Sequence, residues 1–205
     1  SAAKHRLQIG RRPVIDRASA YLQTVLRGGM DEYGNPFDQA TRAYILFVLA
    51  EGGRTDPGML TAVYEKRADL PLFAKAQLAM AMQKAGTKQM QQKAAALLQE
   101  VTDLVRIDSR GSHFEERSER EYGYLMNTNT RTTAFVMQAM VRINPEHPLL
   151  PRTVRYLLEV RRDGHWDTTQ STSATILAFI EYLKSTKELD ADFHAAVDIA
   201  GKKII

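Results

Sequence analysis

The stretch of sequence that decides the fold reads Arg161-Arg162-Asp163-Gly164-His165-Trp166-Asp167-Thr168-Thr169-Gln170-Ser171-Thr172. The basic residues at its start are typical of the last turn of a helix, and Gly164 can adopt the left-handed conformation that ends one. Thr168 or Thr169 can cap the free N–H groups of a second helix, which continues as an apolar run. Trp166, the only tryptophan, is therefore predicted to lie buried in the corner between two helices, with its N–H bound to a carbonyl of the first helix.

The composition is that of an ordinary globular chain, and it excludes several classes of function. The 205 residues are 44% hydrophobic and 25% charged, which is enough for a domain with a buried core. The net charge of +4 includes no basic block, so the sequence predicts no nucleic-acid partner. Cysteine is absent, which excludes disulfides, a thiolate nucleophile and cysteine-bound metals. No apolar run reaches the roughly 18 residues of a membrane-spanning helix, so we expect no membrane span.

Apolar residues recur at helical spacing along most of the chain, between glycine stops and capping residues. Helices are predicted over residues 14–28, 43–53, 57–68, 71–86, 97–105, 130–143, 148–162 and 169–184. The second, fourth, sixth and eighth of these helices each contain a stretch that is apolar on all faces. Most of the other helices have an apolar stripe on one face only. This alternation predicts an inner and an outer layer of helices. Such an all-α array of hairpins closes into an α/α toroid or stacks into an open solenoid.

Two segments depart from the helical pattern. The polar stretch over residues 108–127 contains a run of charges and is predicted to be a long loop, with room for one turn of helix. Over residues 193–199 apolar residues alternate with their neighbours, which is a strand pattern. We therefore expect a helical domain over residues 1–190 and the first strand or strands of a β domain over residues 191–205.

The number of hairpins is smaller than a closed toroid usually needs, which predicts that further hairpins precede this chain. The apolar edge left open would be lined by Ala18, Tyr21, Leu22 and Val25. Exposed apolar patches tend to find a partner. We therefore expect weak self-association at high concentration, through this edge or by strand exchange at residues 193–199.

These residues together resemble a known family. Two adjacent segments look like the signature in the thioester-containing domain of the α2-macroglobulin family: Leu157-Leu158-Glu159-Val160-Arg161 and Gly164-His165-Trp166-Asp167-Thr168-Thr169-Gln170-Ser171-Thr172. In that signature a helix ends in Arg, and a Gly-rich corner leads into Ser/Thr-Thr-Gln and an apolar helix. Residues 43–53, 70–86 and 130–143 are similar to other helices of the same domain. The strand after Phe193 resembles the start of the CUB-like domain that follows.

The resemblance implies a partial α/α toroid followed by the start of a β-sandwich, CUB-like domain. It implies a very large secreted or periplasmic parent protein, of bacterial type, that traps proteases. In that family a protease cuts a bait region, the protein changes shape, and an internal thioester captures the protease covalently. The expected partners are therefore proteases, through the full-length protein, and the other domains of the parent chain. The expected function of this part is a structural scaffold, not an enzyme.

The chain departs from the family in the residues that perform the capture. The family's thioester comes from a motif of the Cys-Gly-Glu-Gln type, and this chain has no cysteine. No catalytic, cofactor-binding or metal-binding residue is therefore carried over, and no cofactor is expected. We expect the chain to be the later portion of the domain, taken from a longer protein. A relative that lacks the thioester is the alternative.

The second functional hypothesis is a toroid-fold enzyme or carbohydrate-binding module, glycosidase-like or terpene-cyclase-like. A terpene cyclase needs clustered aspartates, and the nearest such cluster is Asp190-Ala191-Asp192. A glycosidase needs two carboxylates that face a cavity. The candidates, which the charge pattern assigns to a solvated loop, are Glu115, Glu116, Glu119 and Glu121.

The histidines show no metal-binding pattern. They are scattered through the chain at His5, His113, His147, His165 and His194. Zinc sites normally bring several such ligands together at short, regular spacings. The sequence therefore predicts surface or capping roles for these side chains, and no metal site.

Overall fold

A computed structural model describes residues 2–30, 34–117, 127–187, 197–199 and 202–204, with side chains described from residue 13 to residue 187 outside the gaps. The chain is mostly helical, at 69% helix and 6% strand, which confirms the all-α class. The elements in chain order are α1 (Ala2–Gly28), α2 (Gln39–Glu51), α3 (Pro57–Glu65), α4 (Leu72–Ala85), α5 (Lys88–Thr102), β1 (Arg106–Asp108), β2 (Gly111–His113), α6 (Asn129–Ile143), α7 (Leu150–Glu159), α8 (Thr169–Ser185), β3 (Val197–Ile199) and β4 (Lys202–Ile204).

Several helix boundaries follow the capping residues that the sequence predicts. Two starts were predicted too late: α1 begins at Ala2 and not at residue 14, and α5 begins at Lys88, where Thr87 is the cap, and not at residue 97. Asp56 accepts a hydrogen bond from the backbone N–H of Met59, and Pro57 occupies the first position of α3. Gly86 ends α4 in the left-handed conformation, with φ of 77°. Thr168 caps α8, because its hydroxyl accepts from the N–H of Ser171 at 3.0 Å. Local sequence therefore determines where these helices begin and end.

The helices pack in two layers, and the helices of the inner layer follow one another in chain order. In one layer α4 packs between α2 and α6, and α6 packs against α8. The helices α3, α5 and α7 connect these elements and pack outside them. Most residues of α4 and α6 are buried, as predicted for inner helices. Burial of this apolar surface is the main stabilising contribution to such an array.

The first and last helices of the array keep apolar surface exposed. On α1, Tyr21 is 67% exposed, whereas Leu22 and Val25 pack against the core. The predicted open edge is therefore split between exposed and half-buried residues. On α8 the exposed apolar side chains are Ile176, Leu177 and Ile180. The sequence indicates an all-round apolar helix here, and the structure covers only one of its faces. Self-association through such faces stays a prediction.

The inner helices run in the same direction. Residues near the starts of α2, α4, α6 and α8 line one cavity, while the ends of α2, α6 and α8 meet around a single arginine, Arg142. None of the described helices is both long enough and apolar enough to cross a bilayer.

The predicted loop over residues 108–127 contains regular structure that the sequence analysis missed. Strands β1 and β2 form an antiparallel hairpin in which Asp108 pairs with Gly111, and β2 packs against α7. Gly111 has φ of 145°, and a Cβ there would collide with the carbonyl oxygen of Arg152. The prediction of a solvated loop is therefore wrong for residues 111–114, which are buried. Glycine is required because the hairpin lies directly against the helix backbone.

The predicted strand over residues 193–199 falls partly outside the described residues. Its described part is β3, which pairs antiparallel with β4 so that Val197 lies opposite Ile204. The domain boundary near residue 190 and the cluster Asp190-Ala191-Asp192 also fall outside the described residues. A CUB-like domain and a closed toroid therefore remain predictions.

Candidate functional site

The corner between α7 and α8 is built around Trp166, as the sequence predicts. The side chain is 6% exposed, and its ring lies 6.1 Å from the ring of Phe179 on α8. Its Nε1–H donates to the carbonyl oxygen of Leu157 at 2.7 Å, close to the end of α7. The prediction of a buried anchor bound to the first helix is confirmed. Because the indole is covered, it offers no aromatic platform to a ligand.

The chain reverses direction in a tight turn and not at a helix-ending glycine. Helix α7 ends at Glu159, so the basic residues that follow lie beyond its last turn. Arg162 and His165 exchange both backbone hydrogen bonds, each at 3.0 Å. Between them Asp163 and Gly164 have φ of 48° and 86°, the conformation of a two-residue turn that favours Asp-Gly. The prediction that Gly164 ends the helix is therefore wrong, although its left-handed conformation is confirmed.

Hydroxyl groups join the starts of α6 and α8. The fully buried Ser171 hydroxyl lies 2.9 Å from the hydroxyl of Thr168 and 2.9 Å from that of Thr128. Thr168 caps α8, and Thr128 caps α6 by accepting from the N–H of Arg131 at 3.1 Å. One serine thus links the caps of two inner helices, which fixes how their first turns sit against each other.

A polar groove of about 700 Å³ lies beside this corner. It is lined by Arg110, Thr128, Asn129, Thr130, Tyr156, Glu159, Val160, Arg162, His165, Trp166 and Asp167. The Arg110 guanidinium is already engaged, because it pairs with Asp108 at 2.7 Å and lies over the Tyr156 ring at 5.4 Å. Burial raises the pKa of Tyr156. The lining mixes both signs of charge, so it favours no single class of ligand.

Two of the four candidate glutamates lie in the described part of the chain, and both are engaged. Glu116 accepts from the N–H groups of Leu72 and Phe73 at 2.9 Å and 3.0 Å, and from the Thr132 hydroxyl at 2.9 Å. It therefore caps α4, where a carboxylate is favoured by the free N–H groups and the helix dipole. For Glu116 the prediction of a solvated loop residue is wrong. Glu115 lies 3.0 Å from Nε2 of His113, and the other two candidates, Glu119 and Glu121, lie outside the described residues.

The three histidines whose side chains are described make different contacts. His147 accepts a backbone N–H two residues along at 3.3 Å, and His165 is exposed, which confirms the predicted capping and surface roles. His113 differs, because it is 5% exposed and stacks on the Tyr156 ring at 4.5 Å. Among the described side chains no group of three His, Asp or Glu could hold a metal ion. The side chains outside the described residues are those of His5 and His194.

A smaller cavity of about 240 Å³ lies where the starts of α2, α4, α6 and α8 meet. It is lined by Ala40, Thr41, Tyr44, Phe73, Gln77, Arg131 and Gln170. Gln77 is fully buried, and neither atom of its amide has a hydrogen-bond partner among the described residues. Arg131 is 9% exposed, its guanidinium lies over the Phe135 ring at 5.1 Å, and burial lowers its pKa. A buried amide and a buried cation thus border one cavity.

At the other end of the inner layer, Arg142 on α6 joins three helices. It binds Glu181 on α8 through two hydrogen bonds, at 2.5 Å and 2.7 Å, and Glu51 at the end of α2 at 2.7 Å. Burial alone would lower the pKa of Arg142, but the two carboxylates outweigh it and the net shift is upward. The arrangement is a structural clamp, because the cation is fully occupied by its partners.

Sequence reasoning missed the two buried polar residues of the smaller cavity. Gln77 and Arg131 fall inside helices that were assigned from their apolar periodicity, where a single polar residue does not change the pattern. The available signal was the position of these polar residues, within helices predicted to be buried. A long polar side chain at a buried position of an inner helix requires a partner.

The described residues thus form a layered helical array with a polar groove and a small cavity, and the chain is similar to a curated protein along most of its length. The chain is 24% identical over 195 residues to an α2-macroglobulin homologue from Nostoc sp.. The match covers 93% of this chain and 10% of that protein, so the chain spans about a tenth of the length of this curated relative. No family profile matches the chain, and no solved structure matches it. The similarity suggests the α2-macroglobulin family, at an identity too low to show membership.

Proposed function

We propose that this chain is part of an α2-macroglobulin-like protease-trapping protein, in which it is a helical scaffold with no covalent capture chemistry of its own. The observation that carries the proposal is the sequence similarity to the Nostoc homologue over 93% of the chain. In this proposal residues 1–190 belong to an α/α toroid of the thioester-domain type, and residues 191–205 begin a CUB-like β domain. Its partners are proteases, reached through the whole protein, and the neighbouring domains. The compartment is periplasmic or extracellular.

The contacts of the chain support a scaffold role. Three side chains with extensive contacts hold structural elements together. Trp166 fixes the turn between α7 and α8, Glu116 caps α4, and Arg142 joins the ends of three inner helices. The chain also has no cysteine, and a thioester needs a cysteine thiol. Capture chemistry would therefore have to come from another part of the parent protein.

The alternative, a toroid-fold enzyme or carbohydrate-binding module, needs catalytic acids or an aromatic platform at a cavity. Glu116 caps a helix, and Trp166 is covered by its own corner. Neither residue is therefore in a position to act on a sugar or a diphosphate. No specific observation favours this alternative over the scaffold.

The test is to read the parent gene and to express its full-length product beside the 205-residue chain. We expect a very long reading frame, and, if the parent has a thioester, a Cys-x-Glu-Gln motif upstream. Both proteins are incubated with trypsin, and trypsin activity toward a large protein substrate is measured. The full-length product should reduce this activity, whereas the 205-residue chain should not, because it corresponds to about a tenth of the length of the relative.

Methylamine treatment adds a second readout. A parent with a thioester should gain the mass of one methylamine, because the amine forms an amide with the acyl group and releases the cysteine thiol, and the 205-residue chain should keep its intact mass. A parent product that leaves trypsin fully active on protein substrates and forms no complex with it in size-exclusion chromatography would refute the proposal.

A further inference from the structure

We propose that the polar groove beside the turn between α7 and α8 binds a small zwitterion, an aminoalkyl phosphate such as phosphoethanolamine. The phosphate lies at the start of α6, and the ammonium group faces the carboxylates at the exposed edge of the groove. The charges of the lining, taken together, select no class of ligand, so the inference rests on the position of each group. It does not depend on the proposed scaffold role, because the groove lies within the described residues.

Two nearly buried hydroxyl groups are the first observation. Tyr156 on α7 is 6% exposed, Thr130 on α6 is 5% exposed, and both residues line the groove. Neither hydroxyl has a hydrogen-bond partner among the described residues, and neither is among the side-chain atoms that the protein encloses completely. Both hydroxyls are therefore accessible from the groove. Burial raises the pKa of Tyr156, so its hydroxyl keeps its proton and can donate.

The start of α6 is the second observation, and it favours an anion. The Thr128 hydroxyl accepts from the N–H of Arg131 at 3.1 Å. The N–H of Thr130, in the same turn, has no hydrogen-bond partner among the described residues. Free N–H groups at the start of a helix attract negative charge, and the helix dipole has the same effect. Thr130 therefore offers both an N–H and a hydroxyl to an anionic ligand.

Arg162 on the turn supplies a cation to the same groove. It is exposed, and its guanidinium has no hydrogen bond or ion pair with the described residues. Arg110 contributes less, because it already pairs with Asp108 at 2.7 Å. A guanidinium binds phosphate oxygens through two parallel N–H groups. A phosphate monoester has three terminal oxygens, which is enough to accept from the guanidinium, both hydroxyls and the N–H, whereas a carboxylate has two oxygens. We therefore assign the anion as a phosphate monoester.

Two carboxylates determine the other end of the ligand. Glu159 and Asp167 line the groove, are exposed, and form no ion pair with the described residues. Glu159 follows Tyr156 by three positions, so the two side chains are neighbours on α7. Asp167 adds to the effect of burial in raising the pKa of Tyr156, so its charge acts at that hydroxyl. These carboxylates repel a plain phosphate, but they attract a ligand that also carries an ammonium group.

The ligand follows from these groups. Its phosphate accepts from the N–H and hydroxyl of Thr130, from the Tyr156 hydroxyl and from Arg162. Its ammonium group donates to Glu159 and Asp167. Phosphoethanolamine carries both charged groups, joined by two carbons. The groove, at about 700 Å³, lies in the usual range of small-molecule sites, roughly 300–1,000 Å³.

The test uses the 205-residue chain, labelled with nitrogen-15, and three probes. Phosphoethanolamine carries both charges, ethyl phosphate carries the anion alone, and ethanolamine carries the cation alone. Trp166 lines the groove and is the only tryptophan, so its indole N–H resonance reports binding without an assignment experiment. We expect saturable shifts of this resonance with phosphoethanolamine, with a Kd on the order of a millimolar for so few atoms. Ethyl phosphate should bind several-fold more weakly, and ethanolamine at least about tenfold more weakly.

Vesicles distinguish a soluble ester from a lipid headgroup with the same groups. The chain is sedimented with vesicles of phosphatidylcholine, with and without phosphatidylethanolamine. We expect no sedimentation with either, because a lipid phosphodiester has one terminal oxygen fewer than a monoester. Sedimentation that requires phosphatidylethanolamine would support the same site with a lipid as its source.

Two tyrosine variants provide the matched comparison. Tyr156→Phe removes the hydroxyl and keeps the ring that stacks on His113. It should weaken phosphoethanolamine binding about tenfold and leave the unfolding midpoint unchanged, because the hydroxyl has no protein partner to lose. Tyr64→Phe is the control, since Tyr64 on α3 lies outside the groove, and it should keep the affinity.

Two charge variants separate the ends of the ligand. Arg162→Gln should weaken phosphoethanolamine and ethyl phosphate alike, because both use the phosphate site. Glu159→Gln should weaken phosphoethanolamine alone, which reduces its preference over ethyl phosphate.

Three outcomes would overturn the proposal. The first is no saturable shift with phosphoethanolamine, which would mean that water alone bonds to the two hydroxyls. The second is equal binding of ethanolamine, which would remove the phosphate from the site. The third is equal affinity in Tyr156→Phe and Tyr64→Phe, which would place the ligand elsewhere.

Discussion

Replacing Trp166 by alanine should be among the most damaging single changes in this chain. The side chain is 94% covered, its N–H donates to Leu157 at 2.7 Å, and its ring packs against Phe179. Truncating a buried tryptophan to alanine costs about 3–5 kcal/mol. About 1–2 kcal/mol of this belongs to the hydrogen bond, and Trp166→Phe, which loses that bond and part of the ring volume, should cost an intermediate amount. At about 2–4 °C for each kcal/mol in a chain of this size, Trp166→Ala should lower the melting midpoint by about 6–20 °C.

The assay is urea unfolding followed by far-ultraviolet circular dichroism, because the variant has no tryptophan to report by fluorescence. Tyr21→Ala is the control, since that aromatic side chain is 67% exposed on α1 and its removal should change stability by no more than about 0.5 kcal/mol. Native Trp166 emission should also be blue-shifted and resistant to iodide. A loss below about 1 kcal/mol in Trp166→Ala, or a red-shifted and readily quenched native spectrum, would refute the structural role.

Three further changes test other parts of the array. Gly111→Ala should destabilise by at least about 1–3 kcal/mol, measured by urea unfolding, because a Cβ would collide with the carbonyl of Arg152 and the backbone is left-handed. Arg142→Met should cost about 1–3 kcal/mol in the same assay, because two carboxylates would face each other without their cation. Glu100→Gln should flatten the loss of stability in acid. Glu100 on α5 pairs with Arg67 at 2.7 Å and with Lys75 at 3.3 Å. Burial alone would raise the pKa of Glu100, but these two cations lower it, so its contribution is present above about pH 4.5 and is lost as the pH falls through the lowered value.

Each of these has a distinct contrary result. Gly111→Ala with unchanged stability would mean that the hairpin does not lie against α7. An Arg142→Met variant as stable as the parent would show that the ion cluster does not hold the helix ends together. For Glu100, the matched control is the exposed Glu146→Gln, and an identical acid profile in both variants would contradict the assignment.

The sequence predicted the helical class and most helix boundaries, because these are set by residues that act locally. Asp56, Gly86 and Thr168 cap or end their helices through groups within a few positions along the chain. Trp166 was also predictable, since a lone large aromatic between a glycine and a threonine cap has few other roles. Local signals of this kind are visible without knowing what packs against them.

The features that sequence missed depend on distant partners. The sequence predicts that Glu116 lies in a charged loop. In the structure it caps α4, which begins 44 positions earlier, so its role is set by the tertiary fold. The hairpin at Gly111 was missed because its strands are only three residues long. Its glycine is required by a close contact with the backbone of α7, which the local sequence does not show. Gln77 was hidden in an apolar run, and its unsatisfied state is visible only when burial is known.

The clamp at Arg142 also bears on how the chain folds and unfolds. Arg142 and Glu51 are 91 positions apart, whereas most pairs of helices that contact each other are neighbours in sequence. Closing so long a segment costs more chain entropy than closing a hairpin, so we expect the local helix pairs to form first and the ion cluster to form after the rate-limiting step. Interactions absent from the transition state affect the unfolding rate and leave the folding rate nearly unchanged. A single arginine would then set how long the assembled array persists and have little influence on how fast it assembles.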